Sequence, residues 1–183
     1  MSEIDIQIFD GVYEPAEDSW LMAKNLPRIQ GEVLEIGCGS GIICLHLAKR
    51  GSVVTAVDIN PKAVDATRIN AKRNKLSIEV LEGDLFSCLE NRRFDVIVCN
   101  PPYLPPADEY NDSNLSLAVE GGPTGSEFTQ RLLKEASLFL KEGGSIYTIL
   151  SSRMKKFETT WKMEQVKEEK YFFERLSLVR FFA

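Results

Sequence analysis

From Glu32 to Cys99 the chain alternates short apolar runs with amphipathic stretches of helical period. Glu32 to Ile36, Val53 to Val57, Ser77 to Leu81 and Phe94 to Cys99 read as strands. Ile42 to Lys49 and Pro61 to Asn74 read as helices, the second with proline in its first turn. Few folds tolerate this alternation. Strands that are apolar on both faces need helices on both sides, which means a mostly parallel, doubly wound sheet. Ser126 to Leu140 continues the pattern as a helix closed by Gly143-Gly144, and Ser145 to Leu150 supplies a fifth strand. Tyr171-Phe172-Phe173 and Leu176 to Phe182 then predict a closing antiparallel pair with its turn near Glu174-Arg175. At the other end, Ile4, Ile6 and Ile8 alternate with polar residues and predict a short opening strand. Pro15, followed by acidic and hydroxyl residues, marks the start of a helix with Trp20, Leu21, Met22 and Leu26 as its apolar face, and Pro27 ends it.

The remaining composition excludes several functions. A chain of 183 residues, 44% hydrophobic and 27% charged, suits one globular core. No apolar run is long enough to span a bilayer, and the acidic first residues are unlike a secretory leader, so a cytoplasmic location is expected. The net charge of −5 argues against tight binding to a bare nucleic-acid backbone. The basic cluster from Lys62 to Lys75, with Arg68, Lys72 and Arg73, reads as a solvated helix face. Cys38, Cys44, Cys88 and Cys99 form no C-x-x-C pair and His46 is the only histidine, so no zinc site is expected in this chain. Cys44, Cys88 and Cys99 stand among apolar neighbours and read as core residues.

Glu35-Ile36-Gly37-Cys38-Gly39-Ser40-Gly41 joins the first strand to the first helix of the alternating region. Glycines there permit a sharp turn and close approach of a ligand to the backbone. The spacing differs from the dinucleotide fingerprint G-x-G-x-x-G: the third glycine comes one residue early, at Gly41. An acid, Glu35, precedes the loop; it would repel a pyrophosphate but attract a sulfonium or an ammonium group. This arrangement resembles the first motif of the seven-stranded, Rossmann-like class I S-adenosylmethionine-dependent methyltransferases. Asp58, ending the second strand, can accept from both ribose hydroxyls. Asp84, after the third, can accept from the adenine amino group with Leu85 packed beside it. Three acids at the carboxyl ends of successive parallel strands converge on one crevice.

Asn100-Pro101-Pro102-Tyr103 follows the fourth strand. It resembles the Asn/Asp-Pro-Pro-aromatic motif of methyltransferases that act on amide or exocyclic amino nitrogens. An amide lone pair is delocalised into its carbonyl, so the nitrogen needs two acceptors for its two N–H bonds before that lone pair can turn to a methyl group. The Asn100 side-chain oxygen and the Pro101 carbonyl can serve, and the two prolines stiffen the backbone between them. Tyr103 can flank the planar group and favour a cationic centre with its ring face. The long irregular stretch that follows, to Thr124, has the composition of a functional loop that orders over bound substrate.

Taken together, Tyr13-Glu14-Pro15-Ala16-Glu17-Asp18-Ser19, the Glu35 to Gly41 loop, Asn100 to Tyr103 and the Glu120-Gly121-Gly122 to Gly125 loop resemble the HemK-type glutamine methyltransferases of class 1 release factors. The first segment is similar to their short archaeal and eukaryotic branch. The resemblance implies a single domain, with residues 1–30 covering the cofactor and 31–183 forming the Rossmann-like core. It implies S-adenosylmethionine as cofactor, with Pro15, Ser19, Glu35, Gly37, Gly39, Gly41, Asp58, Asp84, Leu85 and Asn100 around it. Asn100, Pro101, Pro102, Tyr103, Glu120, Gly121 and Gly122 would hold the substrate, and Asn100, Pro101 and Tyr103 would be catalytic. The implied reaction is N5-methylation of the glutamine in a Gly-Gly-Gln loop of a class 1 translation release factor. A small zinc-binding activator is a further implied partner, seated on the sheet edge near Ser77 to Leu81. Only about thirty residues precede the first motif, so the added N-terminal helical domain of bacterial members is not expected. The alternative is an RNA or DNA amino-group methyltransferase acting on adenine N6, cytosine N4 or guanine N2, since the same four-residue motif serves those bases; the acidic charge and the lack of a reading domain weigh against it.

Overall fold

The computed structural model describes residues 4–105 and 118–183. Seven strands form one sheet in the order β3-β2-β1-β4-β5-β7-β6. They are β1 (Glu32–Ile36), β2 (Val53–Asp58), β3 (Glu79–Glu82), β4 (Phe94–Cys99), β5 (Leu140–Ser151), β6 (Lys162–Tyr171) and β7 (Glu174–Phe182). All neighbouring pairs from β3 to β5 are parallel, and only β7 runs antiparallel to both of its neighbours. The helices that pack on the sheet include α1 (Glu17–Asn25), α2 (Ile42–Lys49), α3 (Pro61–Arg73) and α4 (Glu127–Ala136).

Alternate residues of each central strand feed two cores. Val33, Val54 and Val98 pack with Leu21, Leu45 and Val64 of α1 to α3 on one face. Leu34, Val57 and Ile97 pack with Leu132 and Leu133 of α4, and with Leu85 and Phe86, on the other. No helix among the described residues is long and apolar enough to cross a membrane.

Four expectations need correction. Ile4 to Ile8 is extended but belongs to no strand. Two asparagine side chains, Asn70 on α3 and Asn74 at its C-cap, take the place of a neighbouring strand. Gln7 N donates to Asn70 Oδ1 (2.9 Å) and Asn70 Nδ2 donates to Gln7 O (3.0 Å). Asn74 pairs in the same way with Asp5, at 2.9 and 2.7 Å. Second, Trp20 is not part of the buried face of α1. It is 38% exposed, with the Lys24 ammonium 5.5 Å from its ring centroid. Third, Gly143-Gly144 lies inside β5 rather than before it, where the pairing with β4 shifts register between Phe94 and Val96. Fourth, the closing hairpin turns at Phe172-Phe173, not at Glu174-Arg175, and β6 begins as far back as Lys162. β6 is an edge strand exposed along most of its length, so its charged sequence carries no buried alternation for a reader to find.

Candidate active site

Strand register assembles the site. Ile36 pairs with Val57 on one side and with Cys99 on the other, so Gly37, Asp58 and Asn100 leave the sheet at the same level. Strand order reverses between β1 and β4, and ligands of open parallel sheets bind at such a point, beyond the carboxyl ends of the strands.

The glycine loop is tied to β2 by backbone bonds and braced by side chains that each bond its backbone directly. Gly37 N and Cys38 N both donate to Val57 O, at 2.8 and 3.1 Å. Gly41 caps α2 with φ 90°, a conformation that side chains with a Cβ rarely adopt. A Cβ there would also stand 3.1 Å from Thr67 Oγ1. α3 holds the loop from behind, with Thr67 Oγ1 donating to Gly39 O (3.0 Å) and Asn70 Nδ2 to Ser40 O (2.9 Å). The Asp58 carboxylate accepts from Gly39 N through one oxygen and from Asn60 N through the other, both at 2.9 Å. Each oxygen keeps a lone pair for a further donor. Burial raises the Asp58 pKa above the ordinary value.

Glu35 is 1% exposed, and its Oε2 is buried with no hydrogen-bond partner. Burial pushes its carboxyl up to about 8, against a lesser downward pull from Cys44. An isolated buried carboxylate of this kind is costly unless a cation or a donor is brought to it.

The Asn100 side-chain oxygen is also buried without a partner, while its Nδ2 donates to Ser19 Oγ (3.4 Å). Ser19 is set in turn by Asp18, which is 4% exposed and accepts from Ser19 N (2.6 Å) and Ser19 Oγ (3.2 Å). The other Asp18 oxygen accepts from Tyr103 Oη (3.2 Å), and Tyr13 Oη lies 3.4 Å from both. Burial, then the Asp18 charge, holds both phenols protonated well above the usual tyrosine range. Because the Ser19 hydroxyl spends its proton on Asp18, it can only accept from Asn100. That leaves the Asn100 oxygen as the free end of the amide.

Of the residues expected at the site, Ser19, Glu35, Gly37, Gly39, Asp58, Asp84, Leu85, Asn100 and Pro102 line one cavity, with Tyr13 and Phe128 as additional walls. Gly41, the cap of α2, and the buried Pro101 do not line it. Asp84 is 45% exposed and held by the Arg131 guanidinium through both oxygens, at 3.0 and 2.8 Å. Pro15 and Tyr103 do not line this cavity. Pro15 borders a depression with Trp20 and Lys24, and Tyr103 a groove with Tyr13 and Asp18. Glu120 to Gly122 backs the acceptor motif. Leu104 N donates to Val119 O (2.8 Å), Gly121 N donates to Leu104 O (2.9 Å), and a Cβ on Gly121 would stand 2.5 Å from the Pro102 carbonyl oxygen. Most of the expected covering loop, 106–117, lies outside the described residues.

Asp18 is the residue that sequence reasoning missed. An acid in the first turn of a helix is ordinarily explained by the helix dipole. Its phenol partner Tyr103 is 85 residues away, and no local pattern connects them.

Comparison with known proteins adds a family to this geometry. Residues 14–174 match the methyltransferase small domain family. A Methanocaldococcus jannaschii protein, provisionally named a protein N5-glutamine methyltransferase, is 43% identical over 164 residues, covering 88% of this chain and 83% of that one. The release factor glutamine methyltransferase of Geobacter sulfurreducens is 33% identical over 152 residues; 77% of this chain aligns, but only about half, 54%, of the longer relative. Among solved structures, a T. thermophilus 16S rRNA N2 methyltransferase in complex with AdoMet and guanosine superposes with a TM-score of 0.68. It covers 92% of this chain and 43% of that one at 22% identity, a likeness of fold alone.

Proposed function

Because this chain belongs to the methyltransferase small domain family, and its relatives include glutamine N5-methyltransferases, we propose that it transfers a methyl group from S-adenosylmethionine to a side-chain amide nitrogen. The substrate proposed is the glutamine of the Gly-Gly-Gln loop of a class 1 release factor, met in the cytoplasm. The observation that carries this reading is the Asn100 side-chain oxygen, buried, unpaired and held in one orientation at the cavity wall.

When bound, S-adenosylmethionine supplies an electrophilic methyl group on a sulfonium that also bears an ammonium-carrying arm. The residues present fit such a group. The unpaired Glu35 carboxylate suits its cationic part, and the spare lone pairs of Asp58 suit ribose hydroxyls. Leu85 and Phe128 offer apolar walls for adenine, with Asp84 beside them as acceptor. Toward the substrate, Asn100 Oδ1 and the Pro101 carbonyl each take one N–H of the carboxamide, turning the nitrogen lone pair out of conjugation. Tyr103, tethered by Asp18, fixes the far side of the motif. The chain contributes position and dipoles and needs no strong general base. The implied zinc-binding activator would pair with β3, one of the two outer strands of the sheet, next to the partly buried Leu76 and Ile78.

The test is label transfer from methyl-labelled S-adenosylmethionine, with a candidate activator present, to release factor, to its Gln→Ala variant, and to RNA and DNA. Label in the factor alone, abolished by Gln→Ala, is expected. Label in RNA or DNA with none in the factor would replace this reading by base methylation.

A further inference from the structure

β7 runs antiparallel to the parallel strands, so the turn between β6 and β7 lies at the same end of the sheet as the cavity. Tyr171 and Glu174 are the last pair of that hairpin, leaving Phe172 and Phe173 as its two turn residues. Both side chains are fully solvent-exposed, at 104% and 101% of reference. Phe172 has φ 43°, in the left-handed region that a bulky side chain rarely enters. A two-residue hairpin turn with positive φ at its first residue but not its second favours glycine at the first, followed by a residue such as asparagine. Two phenylalanines at this tip therefore run against local propensity, and each leaves a large apolar ring in water that burial would stabilise.

The tip lines a groove: Phe172, Phe173 and Glu174 border it together with Tyr13, Asp18 and Tyr103. Tyr13 lines the cavity as well as the groove, and Tyr103 belongs to the acceptor motif itself. A protein whose side chain enters the cavity thus has its neighbouring surface laid along this groove.

We infer that the Phe172-Phe173 tip is a docking element for the protein substrate, seating its rings between apolar side chains that flank the loop bearing the target amide. This rests on the reading of the chain as a protein methyltransferase. Exposed aromatic anchors beside a binding cleft are the residues that dominate protein interfaces. A nucleic-acid strand or an anionic membrane fits the groove poorly, because Glu17, Asp18 and Glu174 face it against Arg153.

The test replaces the tip by the sequence its turn prefers, Phe172→Gly with Phe173→Asn, which should not lower the melting temperature. Steady-state methylation is compared on intact release factor and on a short Gly-Gly-Gln peptide, with calorimetry of S-adenosylmethionine binding alongside. The KM for intact factor should rise about tenfold or more, while kcat, the rate on the peptide and the donor affinity stay at wild-type values. An unchanged KM for intact factor would overturn the inference. So would an equal loss on the peptide, which would put the pair in catalysis, or phenylalanine-dependent binding of the wild-type chain to phospholipid vesicles with no change in KM. If the wild-type chain fails to methylate the factor at all, the functional reading falls, and the docking role with it.

Discussion

The two sides of the cleft are held by differently arranged bonds. On the donor side, strand register and backbone hydrogen bonds set the glycine loop, and the Asp58, Thr67 and Asn70 side chains each bond its backbone directly, with no relay between them. On the acceptor side, Asn100 and Tyr103 are oriented through side chains, along a relay from Asp18 through Ser19. A half without a relay should survive loss of a side chain with only that side chain's own contact missing. A half built on a relay should pass the damage along.

The largest expected effect lies on the acceptor side. Asn100→Ala should lower transfer by about a hundred- to a thousandfold, the usual effect of losing one preorganised hydrogen bond at a reacting centre. Donor affinity by calorimetry should hardly change; a parallel fall in both would erase the distinction between the halves. Next comes Asp18→Ala, which touches neither the donor nor the amide. It leaves the donors of Ser19, Tyr13 and Tyr103 unmatched, and transfer should drop by roughly ten- to a hundredfold with about 1–3 kcal/mol of stability lost. Initial rates and denaturant melts check both; full activity would show that the relay does not orient Asn100.

On the donor side the effects are smaller and confined. Asp58→Ala should weaken donor binding about tenfold by removing charged acceptors, while transfer at saturating donor stays close to wild type. The smallest effect at neutral pH belongs to Glu35. Its folded pKa of about 8 stands above the ordinary 4.5, so between those values the chain without a cation holds more protons folded than unfolded. Its stability should therefore fall as pH rises through that window. A bound cation favours the ionised form, so donor affinity should rise severalfold between about pH 7 and 9. Glu35→Gln should flatten both slopes; slopes that persist would assign them to another group.

The same contrast governs what can be read from the sequence. Glu35, Gly37, Gly39, Gly41 and Asp58 are legible because a parallel sheet puts the ends of neighbouring strands side by side, and periodicity finds those ends. Asn100 is legible for the same reason, as the residue after β4. The role of Asp18 is not, because its link to the acceptor motif runs through Tyr103, 85 residues away. Of β6 only the end at Tyr171 is legible, because an exposed edge strand has no buried face to leave a pattern. The Ile4 to Ile8 segment shows the reverse: alternation is present, but Asn70 and Asn74 satisfy its backbone instead of a strand. Asp84 was found by position, but its fork to Arg131 depends on α4, which begins some forty residues later.

The central claim is that this cleft methylates a carboxamide nitrogen presented by a protein. Tandem mass spectrometry of release factor after incubation with the chain and S-adenosylmethionine tests it most directly. The account predicts one added methyl group, located on the side-chain nitrogen of the glutamine in the Gly-Gly-Gln loop and absent with Asn100→Ala. A methyl group on a lysine, an arginine or the main chain, or one that forms equally well with Asn100→Ala, would contradict it.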